Sequence, residues 1–359
     1  MFKQYRVSKL LLFLKSNKYY PFSCTFIFDN KKQMKQFSNI GILTSGGDSP
    51  GMNAAIRAIV RTSIYHQIIP FGILRGYQGM IEGEIQELKT TSVSNIIQRG
   101  GTILKTARSK EFMTKDGMEK AYQQLIKNNI EALILIGGDG TFRGAVDFFS
   151  SYQIPAIGLP GTIDNDLFGT DFTIGFDTAV NTAVSAIDKI RDTAEAHDRI
   201  FLVEVMGRDA GYIALHSGIA CGAEHIFIPE QKEKLNEILS SIQDDQRRKK
   251  MTSIIVVAEG DEFGGALELQ KIIAKELPQL DTRVTILGHI QRGGSPSCND
   301  RMLASRLGHA AVEALLAGRT QEMLGLVNGK IHFTPFTSCV KMHSPLPEDL
   351  LEMIEVLAK

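Results

Sequence analysis

An α/β architecture spread over more than one domain is predicted by three features of the sequence. Apolar runs of strand length, each ending in a glycine-rich turn, alternate with segments of helical period. Two of these units echo one another, Ile42-Leu-Thr-Ser-Gly-Gly-Asp48 and Ala132-Leu-Ile-Leu-Ile-Gly-Gly-Asp139. The length of 359 residues also exceeds what one hydrophobic core usually supports. With 40 basic and 40 acidic residues the chain carries no net field, which argues against nucleic acid or a membrane surface as the main partner. Cys24, Cys221, Cys298 and Cys339 are scattered without CxxC spacing, so neither a disulfide framework nor a zinc site is indicated, and a reducing cytoplasm fits.

Residues 1–37 stand apart as a Lys-, Phe- and Tyr-rich appendage without helical or strand period. Leu10 to Leu14 is far too short to span a bilayer and no small-residue cleavage site follows it. The change of pattern after Met34 leads us to expect that residue as the natural start.

From Asn39 the elements follow in order. Ile40, Ile42 and Leu43 form a short strand, Ser45 to Gly51 a loop, and Met52 opens a helix. Glycines let backbone approach a phosphate, and the helix start offers unpaired N–H groups and a positive dipole end. A plain βα turn has the same appearance. Arg57 and Arg61 share one helical face. Gly76 to Gly79 reads as a turn, and Arg108 follows the double glycine Gly100-Gly101 on a loop, where a guanidinium suits bridging phosphates. The second unit runs from Ala132 through Gly138, Asp139, Gly140, Thr141 and Gly144. Its GxGxxxG spacing is one residue off the dinucleotide fingerprint, so a nicotinamide-binding protein stands as the rival. Asp139 weighs against it: a carboxylate there repels a bare pyrophosphate but suits Mg²⁺ carried by a nucleotide. Gly325 to Ile331 is one residue short of a P-loop and lacks its terminal Ser/Thr.

Between these units and the second half lies Gly158-Leu-Pro-Gly161-Thr-Ile-Asp164-Asn-Asp166, an apolar strand that runs into a turn bearing two carboxylates and a hydroxyl. Ligands of open α/β sheets collect at the carboxyl ends of such strands, and Asp164 and Asp166, two apart, converge on one side if the segment is extended. The bland alternative is a Pro/Gly turn whose polar side chains satisfy backbone donors. Further on, Asp177 is placed to cap a helix reaching His197, with Val180, Val184, Ile187 and Ile190 as its apolar stripe. Strands ending at Met206-Gly207-Arg208 and at Glu259, with a third running from Thr282 towards His289 and Arg292, set Arg199, Arg208, Arg283, His289 and Arg292 at strand ends or adjoining loops. A cluster of that kind suits an organic phosphate. Asn299 is expected to cap a helix to Ala317, and Pro347 to Leu357 to form a last one.

Taken together, Ser45-Gly-Gly-Asp-Ser-Pro-Gly51 with its helix, Gly137-Gly-Asp-Gly-Thr141, Pro160-Gly-Thr-Ile-Asp-Asn-Asp166, Met206-Gly-Arg208 and Gly288-His-Ile-Gln-Arg-Gly-Gly-Ser295 closely resemble the bacterial-type ATP-dependent 6-phosphofructokinases, in order, over about residues 38–359. The resemblance implies two Rossmann-like three-layer αβα domains with largely parallel sheets and the active site in the cleft between them. On that pattern residues 38–174 plus 289–337 bind ATP and residues 175–288 plus 338–359 bind the sugar. It implies Mg²⁺-dependent transfer of the ATP γ-phosphoryl group to the 1-hydroxyl of fructose 6-phosphate, the committing step of glycolysis.

Position by position, Asp164 resembles the general base, with Asp166 supporting it, and Asp139 the Mg²⁺ ligand. Gly47, Arg108 and Thr162 match groups that hold the transferring phosphoryl, and Tyr77, Gly138, Gly140, Thr141 and Gly144 match ATP contacts. Met206, Gly207, Arg208, Glu259, His289 and Arg292 match the sugar-phosphate site. Arg199 and Arg283 match arginines that the family supplies from a neighbouring subunit of a homotetramer. Pyrophosphate-using relatives carry Asp at the position of Gly140 and Lys at that of Gly161, so two glycines imply ATP. Arg57, Arg61, Arg191, Arg248, Lys250 and Glu224 resemble an effector site for ADP and phosphoenolpyruvate. An Arg-Tyr pair of regulated relatives is here Thr90-Thr91, a loss worth about one to a few kcal/mol of effector binding, so muted regulation is expected.

Overall fold

The computed structural model describes residues 35–197, 199–231, 239–240, 242–243, 253–339 and 345–357. The expectations for residues 1–34, and Arg248 and Lys250 of the effector set, lie outside them. Two sheets organise the described chain. The larger has eight strands in the order β12-β11-β5-β4-β1-β2-β3, with β6 paired to β5. These are β1 (Asn39–Thr44), β2 (Ile69–Ile73), β3 (Ile85–Glu87), β4 (Ala132–Gly137), β5 (Ala156–Thr162), β6 (Ile174–Gly175), β11 (Glu322–Val327) and β12 (Lys330–Pro335). The smaller sheet, in the order β10-β7-β9-β8, holds β7 (Ile200–Val205), β8 (His225–Phe227), β9 (Ser253–Ala258) and β10 (Thr282–Ile286), all parallel. Among the described residues only the edge pairs β2–β3 and β11–β12 are antiparallel.

Strict alternation of burial to both faces explains the layers. Ile40, Ile42, Ile134, Ile136, Ile157 and Leu159 pack on the helices Met52–Tyr65 and Cys298–Leu316, while Leu43, Leu133, Leu135 and Ala156 face Tyr77, Leu125 and Phe148 on the other side. In the smaller sheet Val203, Val205, Ile254 and Val256 face the helices Phe176–Glu195 and Tyr212–Ala220, and Leu202, Ile255 and Val257 face Ala266–Glu276. Both sheets are therefore covered on two faces, which is why their strands read as continuous apolar runs rather than as alternating ones. The α/β expectation with largely parallel sheets holds.

Four local expectations are corrected. Gly76 to Gly79 is not an isolated turn but the start of a seven-residue helix, Gly76–Glu82, entered through Arg75 (φ 55°) and closed at Gly83 (φ 73°). The long helix begins at Phe176 behind Gly175 (φ 108°), which offers no side chain. Asp177 sits inside its first turn, and the capping carboxylate comes instead from Asp300. The helix Cys298–Leu316 is capped by Ser297, whose hydroxyl accepts from the Asp300 amide, so Asn299 lies two residues past the cap, inside the first turn. The apolar stripe of Phe176–Glu195 is centred on Ala179, Ala183 and Ile187, with Val180 and Ile190 at its margin. The P-loop-like stretch is a hairpin in which Val327 pairs with Lys330, and positive φ at Asn328 and Gly329 fits its two-residue turn.

Candidate active site

Strand order puts three loops side by side. From β1 the chain moves out to β2 and β3 in one direction, whereas β4 and β5 lie on the other flank, so the first and second glycine loops leave neighbouring strands where the order reverses. Crevices at such switch points are where open α/β sheets bind ligands. The two loops are tied directly: the Ser45 amide donates to the Ile136 carbonyl at 3.0 Å, and the Thr141 hydroxyl donates to the Ser45 carbonyl at 3.1 Å. A Cβ on Gly137 would lie 2.5 Å from that same carbonyl, so only glycine admits the contact. On the opposite flank the ideal Cβ of Gly138 lies 3.5 Å from Thr162, which sets the end of β5 against the second loop.

The loop that carries Arg108 is held by Asn53, which sequence reasoning passed over. Its side chain donates to the carbonyls of Arg99 and Gly100, both at 3.1 Å, and accepts from the Ile103 amide at 2.8 Å. A polar residue inside the apolar run Met52 to Ile56 was the available signal. Arg108 itself is exposed, next to Ser109, whose hydroxyl donates to Gln78 at 2.7 Å. Tyr77 is buried, stacked on Phe112 at 4.0 Å, and its hydroxyl donates to the Thr141 carbonyl, so it props the second loop from beneath.

At the end of β5 the side chains divide their work. Asn165, in the left-handed region at φ 55°, donates to the Asp171 carbonyl and accepts from the Thr173 amide, and so holds the turn. Thr162 accepts from the Asp164 amide at 3.2 Å. Asp164 is different. It is 7% exposed, and its Oδ1 is buried without a hydrogen-bond partner among the described residues. Burial, and then the neighbouring carboxylate of Asp166, push its carboxyl above the ordinary aspartate range, against the opposing pull of Arg292 and Arg208, with Glu259 adding to the rise. The bland alternative thus describes Asn165 but not Asp164. A buried oxygen left unsatisfied costs about 1–3 kcal/mol, and a fold keeps such a cost where a ligand or a proton will meet it.

The second sheet contributes from its carboxyl ends. Val205 is in register with Ala258, so Met206-Gly207-Arg208 and Glu259 adjoin, and the Arg208 amide donates to Glu259 at 3.4 Å. His289 and Arg292 lie on a 3₁₀ turn, Gly288–Arg292. Arg292 reaches the first loop: it donates to the Asp48 carbonyl at 3.2 Å, and a Cβ on Gly47 would lie 2.6 Å from its guanidinium. Arg199 and Arg283 are elsewhere. They meet on Asp281, at 2.7 and 2.6 Å, at the amino ends of β7 and β10. The six residues of β7, at about 3.3 Å each, separate Arg199 from the carboxyl end of its strand, and Arg283 is the second of the five residues of β10. The cationic cluster expected from strand ends is therefore split in two.

Asp139 opens the helix Asp139–Ser151 and pairs with Arg143 at 2.8 Å. Beside it a Cβ on Gly140 would meet nothing within 4 Å, so this side of the helix start is open. No cluster of three or more His, Cys, Asp or Glu able to hold a metal occurs among the described residues. One carboxylate still fits Mg²⁺, which takes few protein ligands when nucleotide phosphates supply the rest. Of the effector set, Arg191 donates to the carbonyls of Cys221 and Gly222 and lies 3.8 Å from Glu224. Arg57 and Arg61 are on Met52–Tyr65, the helix that packs on the larger sheet.

Two phosphate-type loops joined to a buried carboxylate and a cationic turn form the layout of a phosphoryl-transfer site. The sequence matches the family described as Phosphofructokinase over residues 39–315, and the chain belongs to that family. It is 55% identical over 318 residues to the "ATP-dependent 6-phosphofructokinase" of Cytophaga hutchinsonii, covering 89% of this chain and 97% of the relative. The "ATP-dependent 6-phosphofructokinase 1" of Thermus thermophilus is 55% identical over 319 residues, covering 89% and 99%. Among solved structures, Saccharomyces cerevisiae phosphofructokinase superposes with a TM-score of 0.78 at 37% identity, covering 89% of this chain, which spans 47% of the yeast chain. A pyrophosphate-dependent phosphofructokinase from Marinobacter aquaeolei shares the fold, with a TM-score of 0.78 at 23% identity, covering 90% of this chain and 92% of that one. Family membership removes the nicotinamide-binding rival.

Proposed function

We propose that this protein transfers the γ-phosphoryl group of ATP to the 1-hydroxyl of fructose 6-phosphate, giving fructose 1,6-bisphosphate and ADP, the committing step of glycolysis. The observation that carries the proposal is the buried Oδ1 of Asp164, without a hydrogen-bond partner among the described residues, at the junction of the two loops and the cationic turn. Asp164 accepts the proton of the attacking hydroxyl, and its raised affinity for protons suits that task. Asp166 lies beside it and keeps that affinity high. Thr162, Gly47 and Arg108 hold the transferring phosphoryl, with Arg292 laid against Gly47. Gly138, Gly140, Thr141 and Gly144 form the nucleotide side, backed by Tyr77. Met206, Gly207, Arg208, Glu259 and His289 hold the sugar phosphate. Such chemistry is mostly positioning and charge stabilisation, which suits a site built from loops locked to one another.

Asp139 holds Mg²⁺ brought with ATP, and that cation, when bound, neutralises charge developing on the phosphates. ATP is the donor because Gly140 and Gly161 leave the nucleotide side uncharged; a Cβ on Gly161 would already be 3.0 Å from Ile136 and Met52. Residues 38–174 plus 289–337 form the nucleotide domain, and residues 175–288 plus 338–359 form the sugar domain. Arg199 and Arg283 serve a neighbouring copy's site in a homotetramer, since within one chain they sit at the far ends of their strands. The protein works in the cytoplasm. No described helix is long and apolar enough to cross a membrane. Arg57, Arg61, Arg191, Glu224, Arg248 and Lys250 bind ADP or phosphoenolpyruvate weakly, for want of the Arg-Tyr pair at Thr90-Thr91, so ADP shifts the saturation curve for fructose 6-phosphate little. A coupled assay supplied separately with MgATP and with magnesium pyrophosphate tests the donor. Turnover with ATP and negligible turnover with pyrophosphate is expected, and the reverse preference refutes the assignment.

A further inference from the structure

Asp300 is 1% exposed, and the phosphate loops and cationic turn do not account for its burial. A carboxylate inside a protein is retained only with strong partners, and this one has three. Its Oδ1 accepts from the Gly175 amide at 2.8 Å; its Oδ2 accepts from the Thr178 amide at 2.9 Å and also from the Thr178 hydroxyl. The partners lie 122 to 125 residues away in sequence. Burial pushes the carboxyl above the ordinary aspartate range while these hydrogen bonds pull it back.

Each contact leads to a different part of the site. Gly175 is in register with Thr162 in the β5–β6 pair, and the Thr173 hydroxyl, two residues before it, donates to the Thr162 carbonyl at 2.7 Å. Through Gly175 the carboxylate therefore fixes the strand end from which Asp164 projects. Thr178 accepts at its hydroxyl from the Ser297 amide at 3.0 Å, and Ser297 closes the segment that carries His289 and Arg292. Gly51, the last residue of the first phosphate loop, presses against Asp300: a Cβ there would lie 3.6 Å from the Asp300 Cβ. Gly175 in turn packs on Ser49 of that loop, where a Cβ would come within 2.5 Å.

We infer that Asp300 is a positioning residue: one buried carboxylate fixes the phosphate loop, the strand end bearing the general base and the sugar-phosphate turn relative to one another. It touches no substrate. Its negative charge holds two backbone amides at the start of Phe176–Glu195, which a neutral amide side chain cannot do, because Asn offers one acceptor and turns a donor on the other. A slip of about 1 Å in a phosphoryl-transfer site costs on the order of 100-fold in rate, so loosening the clamp reduces turnover more than it reduces binding.

The inference rests on the proposed roles of Asp164 and Arg292, and wild-type turnover with MgATP and fructose 6-phosphate keeps the two claims apart. Asp300→Asn is compared with Leu307→Ala, which opens a cavity in the same helix's buried face without touching the clamp. For each we expect a lower melting temperature. Per folded molecule, kcat falls at least about 10-fold in Asp300→Asn, with dissociation constants for MgATP, measured directly, within about threefold of wild type; Leu307→Ala keeps the wild-type kcat. Thr178→Val, which keeps the carboxylate and its two backbone amides but removes the hydroxyl that donates to it and releases Ser297, raises KM for fructose 6-phosphate and leaves KM for ATP unchanged. It remains decisive if Asp300→Asn fails to fold. An inactive wild type overturns the proposed function. An active wild type overturns the role of Asp300 if Asp300→Asn keeps its kcat, if Leu307→Ala loses as much turnover per folded molecule, or if Thr178→Val changes neither KM.

Discussion

Replacing Asp164 by Asn keeps the shape of the side chain and removes the ionisable oxygen at the centre of the proposed site. Two consequences with opposite signs follow. Loss of a general base costs about 10²- to 10⁴-fold in kcat, which at about 1.4 kcal/mol per decade is about 3–5 kcal/mol of barrier. Substrate binding should change little, because the loops and the cationic turn that hold the phosphates are untouched. Stability moves the other way. The carboxyl of Asp164 binds its proton more tightly folded than unfolded, because burial and Asp166 disfavour the charge. Its contribution is therefore fully present below the unfolded pKa and is lost as pH rises through the folded one, so at neutral pH the charged form strains the fold. Asp164→Asn should melt higher than wild type at pH 7, with the gap closing at acid pH. Steady-state kinetics with MgATP and fructose 6-phosphate, beside thermal unfolding followed from neutral pH down through the ordinary aspartate range, reads both effects. A variant that retains wild-type kcat, or that melts lower at neutral pH, refutes the assignment of Asp164 as a buried base.

Other outcomes follow from the same geometry. Gly140→Asp should fold as well as wild type, because its Cβ enters open space, yet KM for ATP should rise at least about 10-fold from a carboxylate facing phosphates; circular dichroism and kinetics together check this. Asp139→Asn should raise the Mg²⁺ concentration needed for half-maximal turnover, read by magnesium titration at fixed ATP. Mixing the inactive variants Asp164→Asn and Arg199→Ala under conditions that exchange subunits should restore activity if Arg199 serves a neighbour's site, whereas a mixture as inactive as its components speaks for self-contained chains.

How much was visible beforehand depended on the range over which each feature is encoded. β1, β4, β5, β7 and β9 were legible because strands covered on both faces are unbroken apolar runs, and each leads straight into the polar residues it presents. The glycine loops were legible for the same local reason. Caps were not. Gly175 carries no side chain, and the carboxylate that serves its helix lies 125 residues on, beyond any periodicity or spacing rule. The helix Gly76–Glu82 was masked by its own glycines; a Cβ on Gly79 would lie 1.7 Å from the Leu74 carbonyl, so that glycine answers to close packing and not to a turn. Among the arginines, the strand pattern alone groups Arg199 and Arg283 with Arg208, and only the family resemblance assigns them to a neighbouring subunit; the pattern does not say which strand end they occupy, and register sets them at the amino ends of β7 and β10. The unpartnered oxygen of Asp164 is a property of packing alone, and no sequence pattern announces it.

The most direct test follows the phosphoryl group itself. Wild-type protein incubated with MgATP and fructose 6-phosphate, observed by phosphorus NMR, should convert the γ-phosphate signal of ATP into a second sugar phosphate at the 1-position, one for each ADP formed. Release of inorganic phosphate with the sugar unchanged, or no consumption of ATP, would contradict the assignment.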